Sequence, residues 1–315
     1  MVDFDYLVKG LAALARAHRV SPMAGHLGAA LVAGYFIGEQ NPDLDDRVYR
    51  GIEGELDRIL RGESVFGPGP KSPITTAELF EPVPNETSRE NLIDGVAEAL
   101  ARTIDQPRES GHNVIFAAIA IRALKDHPEF ATPFLTGGLR ELMAGFNTAS
   151  PGSGYYGKDR GRINGRNVTL TDADDFPPYA DLPAMAATVL EELIQHAGER
   201  RDGYGGLWHV INHGAALAEL DLYGYRDLAR RGLAAHHKHL RLFRTVPNVA
   251  DELGADTPTA HDPRTAAYWQ MDTLRRDRAL LDHRIKTLYG YDALARLVAD
   301  ADEKKQANDR LRYLM

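Results

Sequence analysis

The chain has 315 residues, 43% of them hydrophobic and 26% charged, with a formal net charge of −8. That balance suffices for a sizeable buried core, and the acidic excess argues against a general binder of nucleic acid or anionic membrane, which needs a basic surface. Cysteine is absent, so disulfides, thiolate metal sites and a cysteine nucleophile are excluded.

The N-terminal Met-Val-Asp-Phe-Asp-Tyr has no basic region followed by an apolar run. No apolar stretch approaches the ~18 residues of a spanning helix. The expectation is a cytoplasmic protein with a small-molecule substrate, no membrane and no nucleic-acid partner. Apolar spacing of three and four residues dominates, and strand-like alternation is nearly absent. Residues 4–19 read as a helix with Leu7, Leu11, Leu14 and Ala15 on one face, broken at Ser21-Pro22. A second helix opens at Gly25-His26 and runs to about Gly38. A third begins at Asn41-Pro42-Asp43, carries Val48, Ile52, Leu56, Ile59 and Leu60, and ends near Gly62. A loop with Gly67-Pro68-Gly69-Pro70 follows, to about Thr87.

The order then recurs. Helices are expected at 88–104, from Gly111-His112 onward, and at 131–146, followed by a loop over 147–180. Another round places helices at 183–198, 205–223 and 226–243, a loop at 245–262, and a closing pair at 264–287 and 291–313. His26 and His112 are 86 residues apart, and His112 and His213 are 101 apart. Leu222-Tyr223-Gly224-Tyr225 returns as Leu288-Tyr289-Gly290-Tyr291. About eleven helices result. The pattern reads as one all-α domain, 1–315, of three repeats (about 1–87, 88–180 and 181–262) and a closing pair (about 263–315). Repeated antiparallel helices bury their faces against neighbours. A closed α/α toroid around a central cavity is the favoured arrangement, with an open helical solenoid as the alternative.

The small-residue helices each carry histidine. His26, His112 and His209 or His213 lie near helix starts, whereas His283 is expected late in its helix. Imidazole is both a neutral metal ligand and a general base near pH 7. His26, His112, His209 and His283 are therefore candidate catalytic groups, and His26, His112, His209 and His213 candidate ligands for Fe or Zn. His209 and His213 share one helix face but lack the glutamate of a zinc-protease motif. Polar packing, or duplication of an ancestral unit, would explain the same placement without chemistry.

The 147–180 loop gathers Tyr155, Tyr156, Lys158, Arg160, Arg162 and Arg166, a basic–aromatic cluster suited to an acidic or phenolic ligand. Tyr155, Tyr156, Lys158, Arg160 and Trp208 are candidate substrate-binding residues. Asn164-Gly165 is the expected turn of a small hairpin. Gly152-Ser153-Gly154 lacks the flanking strand and helix of a phosphate loop, and no GxSxG is present. Asp172, Asp174 and Asp175 are the carboxylates available for a hydrolase, and His236-His237-x-His239 reads as a solvated face.

Gly25-His26-Leu27, Gly111-His112, Leu207-Trp208-His209-Val210 and Asp282-His283-Arg284-Ile285-Lys286 together resemble the questin oxidase-like family, where similar segments occur in the same order on an all-helical chain. Glycine precedes His26 and His112 here, where the family pattern has asparagine and an aromatic residue. The resemblance implies a monooxygenase that opens aromatic rings with O₂ and NADPH. The expected function is an oxygenase-type oxidoreductase acting on a small aromatic or polyketide-like molecule. The alternatives are a metal-dependent hydrolase, an acid–base lyase or isomerase, or a non-enzymatic helical-repeat binding protein.

Overall fold

The computed structural model describes residues 1–171, 176–278 and 280–315. The all-α expectation holds: among the described residues there are fifteen α-helices and a single two-stranded sheet. In chain order these are α1 (Asp5–Arg16), α2 (Gly25–Gln40), α3 (Asp46–Leu60), α4 (Thr76–Leu79), α5 (Leu92–Ala101), α6 (His112–Asp126), α7 (Pro133–Ala144), β1 (Ser153–Tyr155), β2 (Arg162–Asn164), α8 (Leu182–His196), α9 (Gly206–Leu222), α10 (Arg226–Arg244), α11 (Ala250–Leu253), α12 (Ala266–Trp269), α13 (Asp272–Arg276), α14 (Leu281–Ala295) and α15 (Ala301–Leu311). The helices beyond the expected eleven are short: α4 and α11 are single turns inside expected loops, and α12 and α13 lie within the expected helix over 264–287. No helix among the described residues is long and apolar enough to cross a membrane. The chain divides into two compact units, 1–100 with 116–146 and 260–289, and 101–115 with 147–259 and 290–315.

In the first unit, α2 is buried on every side from Gly25 to Gly38. Glycines let its neighbours approach. A Cβ on Gly28 would lie 2.5 Å from the Gly10 carbonyl oxygen of α1 and 2.6 Å from the Leu14 nitrogen. A Cβ on Gly138 of α7 would lie 2.2 Å from the Ala15 oxygen. These neighbours are backbone and cannot rotate away. Gly28→Ala is therefore expected to cost about 2–3 kcal/mol, read as a lowered denaturation midpoint with an unchanged urea slope. Helix α3 is amphipathic and buries Val48, Ile52, Leu56 and Ile59, with Asp45 accepting a capping bond from the Arg47 amide. Its buried Glu55 pairs with Arg58 at 2.9 Å and with Arg284.

The single helix expected over 264–287 is three helices. Trp269 wedges beside Gly51, where a Cβ would lie 2.2 Å from the Trp269 Cβ, and its indole N–H donates to the Pro263 carbonyl at 2.8 Å. The Asp277 side chain accepts from the Leu280 amide at 3.0 Å, ahead of α14. His283 therefore lies on the first turn of its helix, like His26 and His112, rather than late in it.

In the second unit, α9 enters through Gly205 and Gly206, both left-handed, and stops before Gly224 at φ +94°. It packs against α10 and α8, and α15 packs against α8. Gly224 ends a helix, but Gly290 of the recurring tetrapeptide sits inside α14. A Cβ there would lie 2.4 Å from the Asn212 side-chain oxygen, so the second glycine serves contact rather than termination.

The expected hairpin centred on Asn164-Gly165 is also corrected. Ser153 pairs with Asn164 and Tyr155 with Arg162, and Asn164 accepts from the Arg166 amide at 2.9 Å to start a 3₁₀ turn. The His236-His237-His239 face is buried rather than solvated, with His236 and His239 fully so. Gly214 of α9 makes the room: a Cβ there would stand 3.2 Å from His236 Nε2. Asp172, Asp174 and Asp175 lie outside the described residues.

Candidate functional site

Two histidine helices begin in the same way in the second unit. Glu109, Ser110 and Gly111 are successive left-handed residues ahead of α6, and Tyr204, Gly205 and Gly206 are successive left-handed residues that lead into α9. Such conformations cost ~1–3 kcal/mol for a non-glycine residue and persist only where surroundings impose them. Each run turns a carbonyl onto the next histidine. The Glu109 oxygen meets His112 Nδ1, and the Gly205 oxygen meets His209 Nδ1 at 2.5 Å. A carbonyl only accepts, so both Nδ1 atoms carry the proton and both Nε2 atoms present lone pairs. Those Nε2 atoms face each other at 3.0 Å, both rings buried. Two lone pairs at that distance repel unless a cation lies between them. A shared proton or a metal ion satisfies the pair, and 3.0 Å suits two imidazoles on one ion with bonds of ~2.0–2.1 Å.

His213, placed by the sequence with the metal ligands, joins a different group. Its Nδ1 lies 3.2 Å from His239 Nδ1, and its ring centre is 5.1 Å from that of His236. His239 Nε2 donates to the Tyr204 carbonyl at 2.8 Å and His236 Nε2 to the Val210 carbonyl at 3.0 Å. His213 Nε2 is buried with no hydrogen-bond partner. Burial pushes all three down, His236 to about 3 and His239 to about 4, with neighbouring histidines adding to the fall at His213 and His236. The trio is neutral at pH 7.

The proposed substrate-binding residues divide. Trp208 lines a cleft of about 270 Å³ with Tyr204, Arg162 and Phe243, and its indole donates to the Leu314 carbonyl at 3.0 Å. Tyr155 donates to Glu252 at 2.9 Å. Tyr156 is packed in a cluster with Tyr204, Leu242 and Val246 rather than turned to a ligand. Lys158 and Arg160 are exposed, and the Arg160 guanidinium stands 5.0 Å over the Tyr156 ring.

In the first unit, His26 and His283 come together, with ring centres 4.8 Å apart. Phe66 stacks on His26 at 3.9 Å and Phe116 meets its edge at 5.5 Å. The Lys286 amine bonds His26 Nδ1. Burial lowers Lys286 to about 7, against the attraction of Asp282 one turn earlier. Burial raises Asp282 in turn, and its carboxylate accepts from Ser64 at 2.6 Å. Sequence reasoning missed Lys286, Asp282, Ser64 and Phe66 as site residues. A signal existed for two of them: Asp282 and Lys286 are four apart on one helix, so they share a face. Nothing in the 63–87 loop marks Ser64 or Phe66.

Comparison with family models, with curated proteins and with solved structures finds no match to this chain.

Proposed function

We propose that the protein is an oxygenase-type oxidoreductase acting on a small aromatic or polyketide-like molecule, with His112 and His209 as ligands of an iron ion. The observation that carries this reading is the facing pair of Nε2 lone pairs at 3.0 Å, each ring oriented by a carbonyl behind it. Imidazole pairs suit iron and zinc. Iron bound there would supply the redox chemistry toward O₂ that side chains lack. His112 and His209 hold their rings in one tautomer. A cleft of about 270 Å³ lined by Gly205, which orients His209, and walled by Trp208 and Tyr204 has room for a small aromatic ring.

The test is metal content by ICP mass spectrometry on untagged protein never exposed to chelator. Near-stoichiometric iron is expected in the wild type, and His112→Ala and His209→Ala are expected to bind metal at least ~100-fold more weakly. A metal-free wild type, or metal retained in both variants, overturns the assignment.

A second reading, an acid–base lyase or isomerase, is favoured by Lys286. An amine lowered to about 7, bonded to an imidazole and walled by Phe66 and Phe116, accepts a proton from a weakly acidic carbon or phenol near neutral pH.

A further inference from the structure

We infer that the strap Ser150–Tyr155 is the positioning element of the His112–His209 pair: one short segment holds both left-handed runs and thereby sets the tautomer and spacing of the two rings. The inference rests on taking His112 and His209 as the working pair of the preceding proposal.

The strap is bonded to both runs through its backbone. The Ser150 carbonyl accepts from the Glu109 amide at 2.6 Å, and the Pro151 carbonyl accepts from the Ser110 amide at 3.1 Å. Farther along, the Ser153 carbonyl accepts from the Tyr204 amide at 2.9 Å, and the Tyr155 amide donates to the Asp202 carbonyl at 2.7 Å. Glu109 and Gly205 supply the carbonyls that take the Nδ1 protons, so each ring's orientation is inherited from a run that the strap pins.

The glycines of the strap mark how closely it is seated. Gly152 has φ +101°, and a Cβ on it would lie 2.8 Å from Ser110 Oγ. A Cβ on Gly154 would lie 2.8 Å from the Val246 side chain and 2.9 Å from the Tyr204 ring. The first substitution pushes on the run before His112, the second on the run before His209. The 3.0 Å between the Nε2 atoms leaves no slack for either displacement. The strap residues are positioning residues and need touch no substrate.

The test uses full-length Gly152→Ala and Gly154→Ala, with histidine rings labelled with ¹⁵N and metal removed. Ring ¹⁵N spectra of the wild type are expected to show His112 and His209 protonated at Nδ1. In Gly152→Ala the His112 signals are expected to shift or split between tautomers, and in Gly154→Ala those of His209, while His236 on α10 is unmoved. Co²⁺ affinity is expected to fall ~10–100-fold, as for lost support behind a ligand. A merely structural defect would move His236 as well. Folded variants with unchanged His112 and His209 signals overturn the inference, as does a uniform shift of all histidines. Should either alanine variant fail to fold, Ser150→Ala tests the same point without added bulk. The Ser150 hydroxyl donates to the Glu109 carboxylate at 3.3 Å and accepts from the Gly152 amide at 3.1 Å, so its loss loosens the strap on the run before His112; mixed His112 tautomers in a folded protein are expected, and a single Nδ1–H form there overturns the inference. The ring signals are read without metal, so a wild type that binds no Co²⁺ refutes the metal assignment and leaves the strap to be judged by the spectra.

Discussion

Lowering the pH from 7 to 4 is expected to unfold the protein, driven by the neutral histidine trio. Burial holds His236 at about 3 and His239 at about 4 in the folded state, against 6.5 for a free imidazole. Below pH 6.5 the unfolded chain takes up protons that the folded chain refuses, so stability falls as pH falls and keeps falling until the folded values are reached. On that linkage His239 removes about 3 kcal/mol by pH 4 and His236 about 5 kcal/mol by pH 3. His213 adds in the same direction. The sum rivals the ~5–15 kcal/mol that holds a typical domain together. The Val210 and Tyr204 carbonyls favour protonated His236 and His239 but offset burial only in part. His213 is faced by His236, His239 and His209, and His236 by His239 and His237, so each first proton raises the cost of the next. Urea titrations at pH 7, 6, 5 and 4.5 measure the slope. His236→Gln is expected to be less stable at pH 7 but to lose less on acidification. Equal wild-type stability at pH 7 and 4.5 would sink the account.

Lys286→Met is expected to erase a rise in stability that the wild type shows from pH 7 to 10. The folded amine titrates near 7 and the free one at 10.5, so between these values the unfolded chain binds the extra proton and stability climbs with pH. The limit is ~1.4 kcal/mol per pH unit and about 5 kcal/mol over the window. Methionine fills similar space without the amine, and Asp282, already raised by burial, takes a proton in place of its lost partner. The variant should therefore be as stable as the wild type or more so at pH 7, with a flat profile above it. Proton exchange from a phenolic substrate is expected to fall ~100-fold or more if Lys286 is the base. Parallel pH profiles in the two proteins would show that Lys286 is not held near 7. A flat profile with full turnover would make it a packing residue.

The helices were legible because apolar spacing and glycine breaks are local signals. The expected spans 183–198, 205–223 and 226–243 agree with α8, α9 and α10 to within two residues at each end. His112 and His209 were picked out because each stands on the first turn of a small-residue helix. His283 belonged to the same pattern, but the helix ahead of it was read as continuous. Its break depends on Trp269 packing beside Gly51, a contact between residues far apart in the chain. The histidines of α10 were misjudged for a similar reason. Lys238, Arg241 and Arg244 among them suggest a wet face, and only the packing of α10 on Gly214 of α9 shows that the imidazoles point inward.

The order of residues alone decides that this is a helical chain without cysteine chemistry, where its main helices run, and that histidines stand at their starts. Those properties follow from periodicity and from the backbone freedom of a few glycines, which act within a turn or two. The tertiary structure decides what the histidines become. Whether a ring faces another ring, a carbonyl or a lysine depends on which backbone lies behind it. Here the backbone behind His112 and His209 is held by a strap that ends about forty residues after one and begins about sixty before the other. The lowered values of Lys286 and of the α10 histidines likewise come from burial, which belongs to the packed molecule and to no segment of it.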